Sequence, residues 1–222
     1  MRECVWTDLG TMGYAEALER QRALVERRKR GEIPDRLLLL EHPHVITMGR
    51  NGKPDHVLAG EEHLRRAGAA FIPTDRGGDA TYHGPGQLVG YPILDLREWN
   101  RDVVAYLRAL EEALIGAVSE FWIPAGRVEG LTGVWVNGAK IAAIGVHISR
   151  WVTSHGFALN RSTDLSWFQY IVPCGLAGRP VTSMQQVLGA DPGRERVVGA
   201  VIEHFGRVFQ REMIASEAPC LT

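Results

Sequence analysis

Residues 133–159 read GVWVNGAKIAAIGVHISRWVTSHGFAL. Asn137-Gly138 splits this run into apolar halves. Asn-Gly between such halves is the strongest short signal for a type I′ turn, whose twist suits an antiparallel hairpin. The run therefore predicts strands at 133–136, 140–147 and 152–159, joined as an antiparallel meander. Working outward, residues 102–121 give the strongest helical signal, with apolar positions at 103, 104, 107, 110, 114, 118 and 121 and Asn100 as N-cap. Residues 14–30 predict an amphipathic helix with Tyr14, Ala17, Leu18, Leu24 and Val25 on one face and Gly31 at C′. Strands are expected at 36–41 and 45–48 around His42-Pro43, at 70–74 and at 88–94. A short helix is expected at 61–67 and a final one at 194–213. Hairpins mixed with helices indicate an α+β fold, not a regular βαβ repeat.

The 222 residues fit one large domain, or a main domain with a small appendage. A chain of this size builds a core without disulfides or metal. A net charge of −1 gives no reason to invoke nucleic acid. Cys4, Cys174 and Cys220 lie far apart and form no C-x-x-C spacing, which favours a reduced, cytoplasmic setting. The first residues show no signal-peptide pattern, and no apolar run approaches the roughly 20 residues of a membrane helix.

Chemistry concentrates in a few places. Residues 76–87 read RGGDATYHGPGQ, a glycine-rich loop that mixes Arg, Asp, Thr, Tyr and His and feeds the apolar segment 88–96. Glycines allow close backbone approach, so the run reads as a binding loop on a rigid support, excluded from helix and from the middle of an ordinary strand. Arg76 could hold a carbonyl or phosphate, or satisfy loop carbonyls. His83 could be a general base or a loop hydrogen-bond partner. Cys174 stands between Pro173 and Gly175 in a turn-rich run, where a thiolate could meet an acyl group near backbone N–H donors; a lone cysteine is also commonly an inert small hydrophobe. Lys140 follows the Asn-Gly turn. It reads either as a solvated edge residue or as a partly desolvated amine able to take a thiol proton or stabilise a thiolate. A metal site built from His83, His147 and His155 has no supporting ligand spacing. Neither a P-loop nor a G-x-G-x-x-G dinucleotide fingerprint is present. The basic run Arg27, Arg28, Lys29, Arg30 either complements a helix C-terminus or docks an acidic partner.

Five segments together resemble the lipoyl(octanoyl) transferases: TMGR (47–50), RGGDATYHGPGQLVGYPILDL (76–96), TGVWV (132–136), KIAAIGVHISRWVTSHGFALN (140–160) and PCG (173–175). They span about half the chain in the right order. The resemblance implies a fold similar to lipoate–protein and biotin–protein ligases, with a mixed, largely antiparallel sheet flanked by helices. It implies one catalytic domain over 1–222 with a small C-terminal portion, 184–222. It implies Cys174 as the residue acylated as a thioester and Lys140 as its activator. The substrate site would be lined by Arg76, Gly77, Gly78, Asp79, Ala80, Thr81, Tyr82 and His83, by Ala143, Ile144 and Gly145, and by Gly156, Phe157 and Ala158. The implied donor is octanoyl-acyl carrier protein. The implied acceptors are lipoyl domains of 2-oxoacid dehydrogenases and glycine cleavage H protein, and the enzyme would be monomeric, cytoplasmic, and without cofactor or metal. Small residues at 142, 143, 145, 156 and 158 leave room for an acyl slot, or let sheet and helix pack closely. An ATP-dependent ligase on the same fold and a non-catalytic module that binds carrier or lipoyl domains are the rival readings.

Overall fold

A computed structural model describes residues 1–172 and 179–216. In chain order its elements are β1 (Arg2–Thr11), α1 (Tyr14–Lys29), β2 (Asp35–Glu41), β3 (Val45–Met48), α2 (Glu61–Arg66), β4 (Ala70–Pro73), β5 (Ala80–His83), β6 (Gln87–Ile93), α3 (Val103–Ser119), β7 (Gly126–Val128), β8 (Leu131–Val136), β9 (Ala139–Ser149), β10 (Val152–Asn160), α4 (Met184–Leu188), α5 (Arg194–Phe209) and β11 (Arg211–Ala215). The expected meander is β8–β9–β10. Asn137 and Gly138 have φ of 49° and 79°, as a type I′ turn demands. The second hairpin turns in the same left-handed region at Arg150 and Trp151, without glycine.

Among the described residues the main sheet has eight strands in the order β11-β1-β2-β6-β10-β9-β8-β7. β1 runs parallel to both β2 and β11, and the other neighbours are antiparallel, so the sheet is mixed and largely antiparallel as expected. The leucine run of β2 explains its central place. Leu37 and Leu39 enter the core shared with α3 and α5, while Leu38 and Leu40 enter the core shared with α1. A strand covered on both faces needs such a continuous apolar run. A second sheet, β4-β3-β5, lies over its own cluster, which includes Ile46, Leu64 and Tyr82.

Several expectations change. The helix expected from 102 begins at Val103 and is capped by Asp102, not Asn100: the Asp102 carboxylate accepts from Ala105 N at 3.0 Å. Val103 and Val104 are exposed, because the first turn overhangs the core. The final helix stops at Phe209, not 213. Gln210 adopts φ 55°, and the chain then pairs with β1 as β11. β1 itself has irregular burial and shows no clean alternation to read. The glycine-rich run contains a real strand, β5, at its centre, against the exclusion drawn from its composition. α5 packs on α3 through one shared core, and β11 extends the main sheet.

Candidate functional site

The loop that precedes β5 is stitched down on two sides. Arg76 is buried and gives Nη2 to the carbonyl of Thr47 at 2.8 Å and to its hydroxyl at 2.9 Å, with Nη1 on Gly77 O at 3.1 Å. The guanidinium thus frames the loop against β3, in line with the carbonyl-satisfying reading. Gly77 N donates to Val146 O at 2.8 Å, which draws the loop across β9. Gly145 makes this crossing possible: a Cβ there would sit 2.8 Å from Gly77 O. The Asp79 carboxylate turns away from the loop, accepting from Ala80 N and holding the His56 imidazole.

Under the loop lies a narrow slot, open at one side and walled mostly by apolar groups. Arg76, Gly77, Gly78, Thr81 and His83 line it from above. Ala143, Ile144, Gly145, Gly156, Phe157 and Ala158 line it from the sheet. In register, Ala143 faces Ala158 and Gly145 faces Gly156 across β9 and β10, so paired small residues form its floor. Asp79, Ala80 and Tyr82 do not line it. Side chains alternate along β5, and Ala80 and Tyr82 pack instead in the cluster under the second sheet. Tyr14, Tyr91 and His155 complete the wall; the sequence reading placed Tyr14 among core residues and gave Tyr91 no role.

His83 is buried and directed by Gln87. Gln87 Nε2 donates to Asn160 Oδ1 at 2.9 Å and to Tyr82 O at 3.2 Å, so Oε1 is left to meet His83 Nδ1 at 2.8 Å. A carbonyl oxygen can only accept, so Nδ1 carries the proton and Nε2 is the basic nitrogen. Burial, with His42 and Arg76 nearby, holds the imidazole well below its ordinary pKa. Burial likewise lowers His155, although its Nε2 meets Asp75 Oδ1 at 2.9 Å, and it raises Tyr91 well above the usual phenol value. His147 and His155 thus gather at Asp75, while His83 belongs to Gln87. Among the described residues no set of His, Cys, Asp and Glu is grouped to hold a metal.

Lys140 is buried at the start of β9. Its backbone forms a parallel bridge with Val181: Lys140 N donates to Pro180 O, and Thr182 N donates to Lys140 O, both at 2.9 Å. Asn160 Nδ2 grips Thr182 O at 3.0 Å, linking this bridge through Gln87 to His83. Lys140 lines a second, smaller cavity with Gln87 and Asn160. That cavity shares Thr81, Ala143 and Ala158 with the slot, so the two meet at the Ala143–Ala158 pair. Cys174 lies outside the described residues; Val172, two residues before it in the chain, donates its N–H to His56 O at 2.8 Å. Gln87 and Asn160 are site residues that sequence reasoning misses, although each stands inside a quoted motif. The basic run at 27–30 is largely neutralised: Arg28 pairs with Asp35, Lys29 with Glu26, and Arg27 and Arg30 with Glu32. That favours an internal role over a docking patch.

Known proteins resemble this chain in sequence and in fold. An octanoyltransferase of Solibacter usitatus is 62% identical over 96% of both chains. A bi-partite lipoate protein ligase from Thermoplasma acidophilum superposes with a TM-score of 0.71 at 18% identity, covering 98% of this chain and 89% of the other. The biotin protein ligase of Aquifex aeolicus does so with a TM-score of 0.54 at 13% identity, covering 95% and 70%. The lipoyl protein ligase A/B catalytic domain matches residues 13–206, and with a slot, a framed glycine loop and a buried lysine on that fold, the chain belongs to this family.

Proposed function

We infer that the chain is an octanoyltransferase, which moves an octanoyl group from octanoyl-acyl carrier protein to the lysine of a lipoyl domain. The observation that carries this reading is Lys140, buried in a cavity that adjoins the apolar slot, with its backbone bridged to Val181 in the segment that follows residues 173–178. The 62% identity to an octanoyltransferase over nearly the whole chain supports the same activity.

The mechanism proceeds by two acyl transfers. The Cys174 thiolate, held as such by Lys140, attacks the donor thioester; a carbon–sulfur bond forms at Cys174, the donor's carbon–sulfur bond breaks, and the carrier leaves as a thiolate that takes its proton from solvent. The neutral amine of the acceptor lysine then attacks the enzyme thioester, an amide forms, and the Cys174 thiol is regenerated. Thioester exchange is nearly balanced and amide formation runs downhill, so ATP is not consumed. Octanoyl binding draws on the slot: six or seven methylenes at ~0.8 kcal/mol each come to roughly 5 kcal/mol. Arg76 and Gly77–Gly78 cover the acyl chain, and Thr81 stands where slot and lysine cavity join. The acceptors are lipoyl domains of 2-oxoacid dehydrogenases and glycine cleavage H protein, and the enzyme works as a cytoplasmic, single-domain monomer. Among the described residues no helix is long and apolar enough to cross a membrane.

Intact mass after mixing with octanoyl carrier protein, without ATP, tests the reading. Wild type gains one octanoyl group and Cys174→Ala gains none. A labelled Cys174→Ala enzyme sinks the nucleophile, and pyrophosphate release from ATP and free octanoate turns the reading toward a ligase.

A further inference from the structure

We propose that Trp135 and Gly133 form a seat that holds the Lys140 ammonium, so that Lys140 meets the nucleophile as a fixed cation and not as a mobile base; this rests on the Cys174–Lys140 reading above. The register of β8 and β9 is the first observation. Val134 pairs with Ala142, yet Trp135 pairs with Lys140, so the ladder shifts between them and Ile141 is the extra residue. A bulge of this kind re-aims a side chain, and here it sets Lys140 opposite the indole. Lys140 Nζ stands 4.8 Å from the ring centroid, inside the distance at which an aromatic face attracts a cation, and tryptophan is the best of the three rings for it.

Gly133 clears the path. It has φ 123°, and a Cβ there would stand 2.7 Å from Ala142 O and 3.4 Å from Lys140 Cε. A side chain at 133 would collide with the Ala142 carbonyl inside the bulge and would lie against the lysine stem, so glycine lets the bulged register form. The glycine is fixed in turn by Glu111, whose Oε1 accepts from Gly133 N at 3.0 Å while Arg108 and Arg127 brace the carboxylate. Trp135 Nε1 is buried without a hydrogen-bond partner among the described residues. Buried indoles ordinarily find one, so this ring is placed for its face and not for its N–H. Among the described residues, the charged groups around the seat are Arg179, 5.9 Å from the same ring, and Glu111 with its two arginines behind Gly133. Thr81, Gln87 and Asn160, on the cavity side, are uncharged. Trp135 is a positioning residue in this account: it acts through Lys140.

The test is the pH dependence of Cys174 alkylation by iodoacetamide, followed on the peptide that contains Cys174 so that Cys4 and Cys220 do not contribute. Trp135→Phe keeps an aromatic face and holds the midpoint within about 0.3 pH units of wild type, while Trp135→Met raises it by about 0.5–1, a three- to tenfold loss of thiolate at neutral pH. In a Lys140→Met background Trp135→Met adds nothing. Pentafluorophenylalanine at 135 keeps the shape of Phe and removes the electron-rich face, so it separates the seat from folding; it moves the midpoint as Trp135→Met does. An unchanged midpoint with the fluorinated ring, or a Trp135→Met shift that persists without Lys140, overturns the seat alone. A wild-type profile in Lys140→Met overturns the lysine–cysteine pairing beneath it, and octanoyl labelling of Cys174 reports on the nucleophile independently of both.

Discussion

If the slot takes the acyl chain as proposed, single residues on its floor set what it accepts. Ala143 and Ala158 oppose each other across β9 and β10, at the place where slot and lysine cavity join. Ala143→Val adds two methyl groups to this floor and takes that length from the acyl chain. One methylene in an apolar pocket is worth about 1–3 kcal/mol, so kcat/KM for octanoyl carrier protein should drop roughly ten- to a hundredfold relative to hexanoyl carrier protein. Competition between the two donors, read by mass of the acylated product, checks this; an unchanged ratio would place the chain elsewhere. Gly145 serves differently. Its missing side chain admits the backbone of Gly77, so the second sense of the small-residue pattern, close packing, also holds at this position. Sequence could show small residues at 143, 145, 156 and 158 but not which partner came near, since that partner is a loop about 70 residues earlier in the chain. The role of Gln87 was hidden for the same reason: its meaning lies in a bond to Asn160, which no spacing rule connects.

Elements were legible where their own residues decide them. The β8–β9 turn, α1 and the leucines of β2 rest on local chemistry and stand nearly where they were expected. The misreadings are elements decided by distant partners. β11 exists because β1 offers it an edge, and its first residue is tied down by charge: Arg211 Nε donates to Asp35 Oδ2 at 2.8 Å, and Arg28 Nε to Asp35 Oδ1 at 2.8 Å. Asp35 also accepts from Asp95 N at 3.0 Å. One buried carboxylate thereby joins α1, β2, the end of the β6 connection and β11. Asp35→Ala leaves two buried guanidinium groups without this partner, and breaking a buried pair on one side costs about 3–5 kcal/mol. Urea unfolding should show a loss of that size, and the variant should lose β11 pairing first, seen as faster hydrogen exchange at residues 212–215. A loss below about 1 kcal/mol would mean that water reaches the network and screens it.

At the scale of the whole molecule, the slot is surrounded by neutral imidazoles, and this couples the site to acid stability. His42 is fully buried, with Nδ1 on Met12 O and Nε2 on the Tyr91 hydroxyl, each at 2.7 Å. Burial lowers its pKa from 6.5 to about 4. Between those values the unfolded chain takes up a proton at position 42 that the folded chain refuses. Stability is therefore intact above about pH 6.5 and declines as pH falls toward 4, by roughly 3 kcal/mol for this residue. His83 and His155 act in the same direction. The carboxylates held low by arginine, Asp8 and Asp95 among them, begin to be lost only at lower pH. The protein should then weaken in the mildly acidic range, before its salt bridges titrate. His42→Gln can still donate to Met12 O and accept from Tyr91, yet has no proton to gain. Urea midpoints of the two proteins should differ most in their slope between pH 7 and pH 4.5, with the variant flatter. Parallel slopes would mean that acid sensitivity arises from the ion pairs and not from the imidazoles packed around the slot.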